Sequence, residues 1–172
     1  MLVAIVDAAV AEAVRLGGER IACRPGCCEC CMGPFPITEL DAQRLREGLT
    51  ELEASDPARA GQVRERAQAY GNGDDEACPA LDPSTGWCDL YAARPITCRI
   101  FGPPMRSNGG PVGVCELCFV GASEEEIAAC AVEIPEMEEG EETSVARALV
   151  TARGRGVPRP YLTAVTEITP GK

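Results

Sequence analysis

The stretch from residue 23 to residue 31 reads Cys-Arg-Pro-Gly-Cys-Cys-Glu-Cys-Cys, so five of its nine residues are cysteine. Thiolates two to four residues apart on a turn can converge on one metal, because the turn curves the backbone around a point. Gly26 permits the backbone conformation that this turn needs, and Pro25 stiffens it. The stretch therefore predicts a loop that organises the fold around a metal centre.

Four cysteines of this loop are candidate ligands: Cys23, Cys27, Cys30 and Cys31. Because adjacent side chains point in different directions, we expect Cys30 and Cys31 to serve different metals or different corners of one cluster. Cys28 is explained equally well as a small packed residue.

A second group of cysteines lies in a segment from residue 71 to residue 121 that is rich in Gly and Pro. It contains Cys78-Pro, and then Cys88-Asp-Leu-Tyr-Ala-Ala-Arg94-Pro-Ile-Thr-Cys98-Arg99. Spacings of ten residues are too long for one turn, so the fold must bring these sulfurs together. We expect mostly loop here, with one short helical turn near 88–94, and bound metal holding the segment in place.

Two arginines of this group are candidates for supporting the ligands. A site of four thiolates carries excess negative charge, and arginine is a permanently charged donor that can hydrogen-bond to sulfur. Arg94 and Arg99 therefore fit a place beside the cysteines. The alternative for either is a surface salt bridge.

The third group is Cys115-Glu-Leu-Cys118, with Cys130 twelve residues further on. A Cys-x-x-Cys can be half of a four-cysteine metal site or a redox-active dithiol. The dithiol usually needs a helix N-terminus to lower the thiol pKa, whereas Pro111 and Gly113 upstream predict a loop. We therefore favour ligands for this pair, while Cys130 is explained equally well as a small buried residue.

The rest of the chain predicts a mainly α fold with long irregular cysteine-rich loops, a small helical domain organised around a metal centre. With 172 residues, the chain is long enough for a single domain, which we place at 1–153, followed by a loosely held tail at 154–172. Hydrophobic spacing and capping residues predict helices at 2–16, 39–53, 57–70, 123–132 and 143–153.

The charge balance excludes some partners. There are 16 basic and 27 acidic residues, giving a net charge of −11, which repels nucleic acid and anionic membranes. No targeting segment and no membrane-spanning stretch is evident, so the expected location is cytoplasmic. A secreted disulfide framework would have an even cysteine count and a signal peptide. This sequence has eleven cysteines and no evident signal peptide, so a disulfide framework is not expected. The expected partner is a protein, such as a redox partner.

Histidine is absent from the chain. Mixed Cys/His zinc sites, Ser-His and Cys-His nucleophile pairs and the usual non-haem iron triad are therefore excluded. All-thiolate coordination remains, which suits iron–sulfur clusters and structural zinc. We favour an iron–sulfur cluster of the 4Fe-4S type, with zinc as the alternative.

The ordered pattern Cys-x3-Cys-x2-Cys-Cys, Cys-Pro and Cys-x-Leu-Tyr-x-x-Arg-Pro-x-x-Cys-Arg resembles the YkgJ family of cysteine-cluster proteins, which is described as zinc- or iron-chelating. The resemblance implies the motif positions Cys23, Cys27, Cys30, Cys31, Cys78, Cys88 and Cys98, with Cys28 at a variable position. Flagellin lysine-N-methylases carry a similar cysteine cluster, and their resemblance implies an iron–sulfur cluster.

These patterns favour an iron–sulfur protein that acts in electron transfer or in cluster-assisted chemistry, such as methyl transfer to a protein substrate. The alternatives are a zinc-stabilised protein-binding module and a protein of metal storage or delivery. No catalytic base stands out, because Asp89 and Tyr91 are better explained as surface or capping groups. Whether the chain is an enzyme stays open.

Overall fold

A computed structural model describes residues 2–34, 36–71, 73–135 and 142–149 of the chain. Over these residues the fold is mainly α with short strands and long connections, which confirms the predicted class. The α-helices are α1 (Leu2–Gly17), α2 (Glu39–Ser55), α3 (Pro57–Ala69), α4 (Ile96–Ile100), α5 (Glu124–Ala129) and α6 (Val145–Leu149). The strands are β1 (Pro36–Thr38), β2 (Leu81–Asp82), β3 (Trp87–Cys88), β4 (Met105–Ser107), β5 (Val132–Ile134) and β6 (Glu142–Ser144). Short 3-10 turns occupy Gly18–Arg20, Glu29–Cys31 and Tyr91–Ala93.

The helix starts follow from side-chain caps. Thr38 Oγ1 accepts a hydrogen bond from the Asp41 backbone N–H at 3.2 Å and begins α2. The Asp56 side chain accepts from the Arg59 N–H at 3.1 Å, with Pro57 at the first position of α3. Such caps satisfy backbone donors that have no partner within the helix. Both predicted helix starts are confirmed.

The chain divides into two compact units, each built from two segments. The first unit comprises Met1–Pro25 and Ile96–Glu138, and the second comprises Gly26–Pro95 and Glu139–Lys172. In the first unit α1 packs against α4 and β5, and β4 pairs with β5 in parallel. Its buried cluster contains Ala13, Met105 and Ile134.

The second unit is built on α2, α3 and α6, which pack against one another. Its apolar core includes Leu45, Leu49, Val63 and Leu149, each with at most 1% of its surface exposed. Strand β1 pairs antiparallel with β6, and β2 pairs antiparallel with β3 to form a hairpin. This core positions the connections that carry the cysteines of the second unit.

The structure differs from the sequence prediction in several elements. The helix expected at 123–132 ends at Ala129, because residues 132–134 pair with β4 as strand β5. Helix α4 and strand β4 lie where loop was expected. Of the helix expected at 143–153, the structure describes Val145–Leu149, and the tail at 154–172 lies outside the described residues. No described helix combines the length and the apolar character needed to cross a membrane.

Candidate metal centre

All eleven cysteines lie within the described residues, and all are free thiols. The two units share them unequally. The second unit contains Cys27, Cys28, Cys30, Cys31, Cys78 and Cys88, and the first contains Cys23, Cys98, Cys115, Cys118 and Cys130. The candidate ligands therefore form two sets, one in each unit.

In the second unit, a 3-10 turn brings the thiols of Cys30 and Cys31 together. The Cys31 N–H donates to the Cys28 carbonyl at 2.8 Å, which closes the turn, and the two thiols hydrogen-bond to each other. Whether Cys30 and Cys31 serve different metals or different corners of one cluster stays a prediction.

A backbone bond joins this turn to Cys78. The Cys78 N–H donates to the Cys31 carbonyl at 2.6 Å, and the Gly33 N–H donates to the Glu76 carbonyl at 2.8 Å. Met32 and Ala77 form an antiparallel bridge between these bonds. Two cysteines 47 positions apart in the sequence are thereby fixed side by side, with Cys78 buried.

The hairpin brings Cys88 to the same region. Leu81 of β2 is the register partner of Cys88 of β3, and the Leu81 N–H donates to the Cys78 carbonyl at 2.9 Å. The Asp89 N–H donates to the Ala80 carbonyl at 2.7 Å, which extends the contact beyond the strands. Cys78 and Cys88 therefore lie at the two ends of one short turn-and-hairpin.

Two arginines of α3 hold this hairpin from one side. Arg66 Nε donates to the Pro79 carbonyl at 2.8 Å, and its Nη2 donates to Asp89 Oδ2 at 2.5 Å. Arg59 Nε donates to Asp89 Oδ1 at 2.7 Å. Each contacted residue directly follows a cysteine. The two arginines thus position the backbone beside Cys78 and Cys88.

The interpretation of Asp89 as a surface or capping group is wrong, since its side chain is fully buried between Arg59 and Arg66. Tyr91 is exposed, as expected of a surface group. Sequence reasoning missed both arginines. Their spacing of seven residues on one helix was the available signal, because residues seven apart share a helix face.

The thiols of the second unit influence one another's ionisation. The hydrogen bond from Cys31 lowers the pKa of Cys30 to about 6, and the same bond raises the pKa of Cys31. Burial raises the pKa of Cys78 to about 11 and also raises that of Cys88. The charges of Cys30, Cys78 and Cys88 all contribute to the raised pKa of Cys31. The four sulfurs are therefore near enough for the ionisation of one to shift the pKa of its neighbours.

Arg94 is the cation beside these thiols. Its charge lowers the pKa of Cys30 and of Cys88, each as a contribution smaller than the leading cause. The guanidinium carbon lies 3.5 Å from the centre of the Tyr91 ring, and Nε donates to the Tyr91 carbonyl at 3.0 Å. Arg94 is thus held by Tyr91 in a position to offset thiolate charge.

Arg99 belongs to the first unit and forms a salt bridge there. Its Nη1 donates to both carboxylate oxygens of Asp7 on α1, at 2.8 and 2.9 Å. The Arg99 side chain is 9% exposed and the Asp7 side chain 50%. This contact matches the salt-bridge alternative for Arg99, and it ties α4 to α1.

Three cysteines of the first unit contact two backbone positions, Cys118 and Cys23 through their thiols and Cys115 through its backbone N–H. Cys118 Sγ accepts from the Ala22 N–H at 3.4 Å. The Sγ of Cys23 lies so near Gly102 that a Cβ added there would be 2.5 Å from it, and the Cys115 N–H donates to the Gly102 carbonyl at 3.0 Å. The predicted loop at Cys115–Cys118 is observed as a turn, closed by a bond from the Cys118 N–H to the Cys115 carbonyl.

The remaining cysteines lie in other parts of the two units. Cys98 lies on α4 in the first unit, and Cys27 and Cys28 are half-buried in the loop before the 3-10 turn. Cys130 follows α5 instead of lying within a helix, and its thiol donates to the Leu16 carbonyl at 3.5 Å.

The donor set fits a thiolate-bound metal by its chemistry. Cys30, Cys31, Cys78 and Cys88 are free sulfurs joined by backbone bonds, with Arg94 and Arg66 supplying positive charge. Within the described ranges, no three Cys, Asp or Glu side chains are spaced to hold a metal ion as they stand. Binding would therefore require the four sulfurs to draw closer together, as expected where metal binding and loop ordering are coupled.

Comparison with known protein families matched a large part of the chain. The family model CxxCxxCC, described as a "putative zinc- or iron-chelating domain", matches residues 22–116, which is more than half of the 172-residue chain. The matched range spans the cysteines of both sets except Cys118 and Cys130. No curated protein and no solved structure matched the chain.

Proposed function

The chain belongs to the CxxCxxCC family of metal-chelating domains, and from this premise we propose that it is an iron–sulfur protein whose cluster is held in the second unit. The observation that supports it is that backbone hydrogen bonds join the turn of Cys30 and Cys31 to Cys78, and Cys78 in turn to the hairpin that carries Cys88. The proposed ligands are these four thiolates, and the proposed cluster is of the 4Fe-4S type. When bound, such a cluster supplies one-electron transfer or a site for cluster-assisted chemistry.

The polar surroundings of the four sulfurs support this proposal. Potentials of iron–sulfur clusters depend on charge and hydrogen bonds near the sulfurs. Arg94 contributes a permanent charge beside Cys30 and Cys88, and Arg66 contributes one beside Cys78. The hydrogen bonds from Arg59 and Arg66 to Asp89 hold the hairpin that carries Cys88 against α3. These residues would orient the ligands and offset part of their negative charge.

The surface around Cys88 supports a protein partner. Trp87 and Tyr91 are exposed by 50% and 57%, and both lie within three residues of Cys88. Exposed aromatic residues are enriched at protein interfaces. With a net charge of −11 over the chain, a partner with a basic surface would be attracted. We therefore propose a basic redox partner or protein substrate.

Structural zinc is the second candidate, and the short separation of Cys30 and Cys31 in the chain favours it. Two thiolates of a tetrahedral zinc site lie close together, because each Zn–S bond is only about 2.3 Å long. Cys30 and Cys31 are successive residues of one 3-10 turn, from which both thiolates could bind one metal. In this case the domain would be a zinc-stabilised protein-binding module.

Metal analysis of protein purified under strict anaerobiosis distinguishes the two candidates. The iron–sulfur proposal predicts brown protein with broad visible absorbance, and about four irons and four acid-labile sulfides per cluster. Colourless protein with stoichiometric zinc would instead establish the second candidate. Variable loading, with metal lost to a mild chelator while the fold persists, would indicate storage or delivery.

Two serine variants in the same loop test the ligand assignment. Cys31→Ser removes a sulfur of the central thiol pair and should abolish most of the metal content and the visible absorbance. Cys28→Ser is the matched control, because Cys28 contributes its backbone carbonyl to the turn and serine preserves that bond. Equal metal loss in both variants would contradict the assignment.

A further inference from the structure

The first unit contains a cavity of about 330 Å³ between α4, β4 and the segment 113–115. Its walls are mainly apolar and include Ile100, Phe101, Met105, Val114 and Ile134. This volume lies at the small end of the range of about 300–1,000 Å³ that is usual for small-molecule sites. The cavity is therefore large enough for a small organic molecule with an apolar body.

The cavity also has one charged residue in its wall, Arg106. The Arg106 Nε atom is buried and has no hydrogen-bond partner. No described residue forms an ion pair or a side-chain hydrogen bond with Arg106. Buried polar groups in proteins are nearly always hydrogen-bonded, so an orphaned guanidinium N–H in the wall of a cavity indicates a missing acceptor.

The acidic residue opposite Arg106 on the neighbouring strand is engaged elsewhere. Glu133 is the register partner of Arg106 in the parallel pair of β4 and β5. Its Oε1 instead accepts from the Gly109 N–H at 3.0 Å, in the turn that follows β4. Glu133 is thus held by the turn. The guanidinium N–H groups of Arg106 therefore remain available to another acceptor.

We propose that this cavity binds a small monocarboxylic acid, whose carboxylate accepts hydrogen bonds from Arg106 and whose apolar body lies against Phe101, Met105 and Ile134. A guanidinium presents a planar fork of donors that matches a carboxylate with two parallel hydrogen bonds. Met105 and Ile134 are each 5% exposed and form the apolar floor, while Phe101 is half exposed at the side. The proposal is independent of the metal centre proposed above.

Calorimetric titration of the full-length protein with hexanoate tests the site, with 1-hexanol as the uncharged match. We expect saturable binding of hexanoate that weakens as salt is added, and at least tenfold weaker binding of 1-hexanol. Arg106→Gln should weaken hexanoate binding at least tenfold, equivalent to about 1.4 kcal/mol. Arg15→Gln is the matched control on α1, where Arg15 is exposed and pairs with Glu12, and it should leave binding unchanged.

A second variant tests the cavity separately from the charge. Gly113 lines the cavity, and a Cβ added there would meet only the Met105 carbonyl, at 3.9 Å. Gly113→Leu can therefore be accommodated and should reduce binding of hexanoate by occupying the apolar space. The proposal is overturned if hexanoate does not bind, if 1-hexanol binds equally well, or if Arg106→Gln and Arg15→Gln have the same effect.

Discussion

Asp89 is a buried carboxylate whose two oxygens are each held by a different arginine of α3. Its side chain is fully buried, whereas Arg59 and Arg66 are 43% and 24% exposed. Such an arrangement leaves an uncompensated buried charge when one partner is removed. The two bonds to Asp89 therefore control the position of the residue next to Cys88.

The variant Asp89→Asn should destabilise the protein by about 2–3 kcal/mol, near the low end expected for a broken buried ion pair because both arginines are partly exposed. Chemical denaturation measures this change. Glu12→Gln is the matched control, since it also removes a carboxylate from an arginine pair, but that pair lies on the surface of α1. The same loss of stability in both variants would show that burial of Asp89 has no special effect.

At the residue scale, the sequence identified candidate ligands but not their contacts. Spacing indicated Cys30 and Cys31, whereas the number of cysteines and the resemblance to a cysteine-cluster family added Cys78 and Cys88. The bond from the Cys78 N–H to the Cys31 carbonyl could not be predicted, since it depends on the path of the 46 intervening residues. Asp89 was misassigned for the same reason.

At the scale of elements, the hairpin of β2 and β3 has a turn held by one carboxylate. Asp82 Oδ1 accepts from the Ser84 N–H at 2.9 Å and from Ser84 Oγ at 2.7 Å. Asp82 Oδ2 accepts from Thr85 Oγ1 at 2.8 Å. Gly86 completes the turn in the left-handed region, at φ +71°. These bonds fix the turn that leads into Cys88.

We predict that the side-chain carboxyl of Asp82 in this turn has an unusually low pKa. Hydrogen bonds from Ser84, followed by one from Thr85, lower the pKa of Asp82 from 3.8 to about 2. Because the folded pKa is the lower one, this stabilisation is present above pH 3.8 and is lost as the pH falls toward 2. Carboxyl-carbon NMR of Asp82 should therefore show a titration midpoint near 2.

Two variants that each remove a side-chain hydroxyl test the cause of the lowered Asp82 pKa. Ser84→Ala should raise the pKa of Asp82 appreciably, and Thr85→Val should raise it less, following the order in which these groups lower it. The Ser84 N–H bond persists in the alanine variant, so the pKa should stay below 3.8. An unchanged midpoint in Ser84→Ala would show that the hydroxyl has no part in the shift.

Elements with local signals were predicted well, and elements that depend on distant partners were not. Helices α2 and α3 begin at Thr38 and Asp56, whose capping roles are evident in the sequence. Likewise, Ser123 and Glu126 form a capping box at the start of α5, where the sequence predicts that a helix begins. By contrast, β4 and β5 are three residues each and exist because they pair across 27 positions. A strand that short has too little periodicity to be detected.

At the scale of the whole molecule, the second unit combines a helical core with loops that depend on few bonds. Leu45, Leu49, Val63 and Leu149 pack between α2, α3 and α6. The same buried cluster includes Cys78, and Cys31 and Cys88 pack against it. The segment 76–90 is held by a short strand pair, by isolated backbone hydrogen bonds and by the bonds that the arginines of α3 donate to it. Local stability generally follows buried apolar contact. The core should therefore persist where the loop opens.

Removal of the metal should destabilise the segment 76–90 of the second unit but not its helical core. Hydrogen exchange of anaerobically purified protein, compared with the same protein after chelation, should show amides in 76–90 exchanging about tenfold faster or more. Amides in 42–67 should change little, because α2 and α3 are stabilised by their apolar faces. Equal acceleration in both segments would mean that the metal supports the helical core as well. No change in either segment would mean that the four thiols do not hold the metal, and the proposed centre would have to be abandoned.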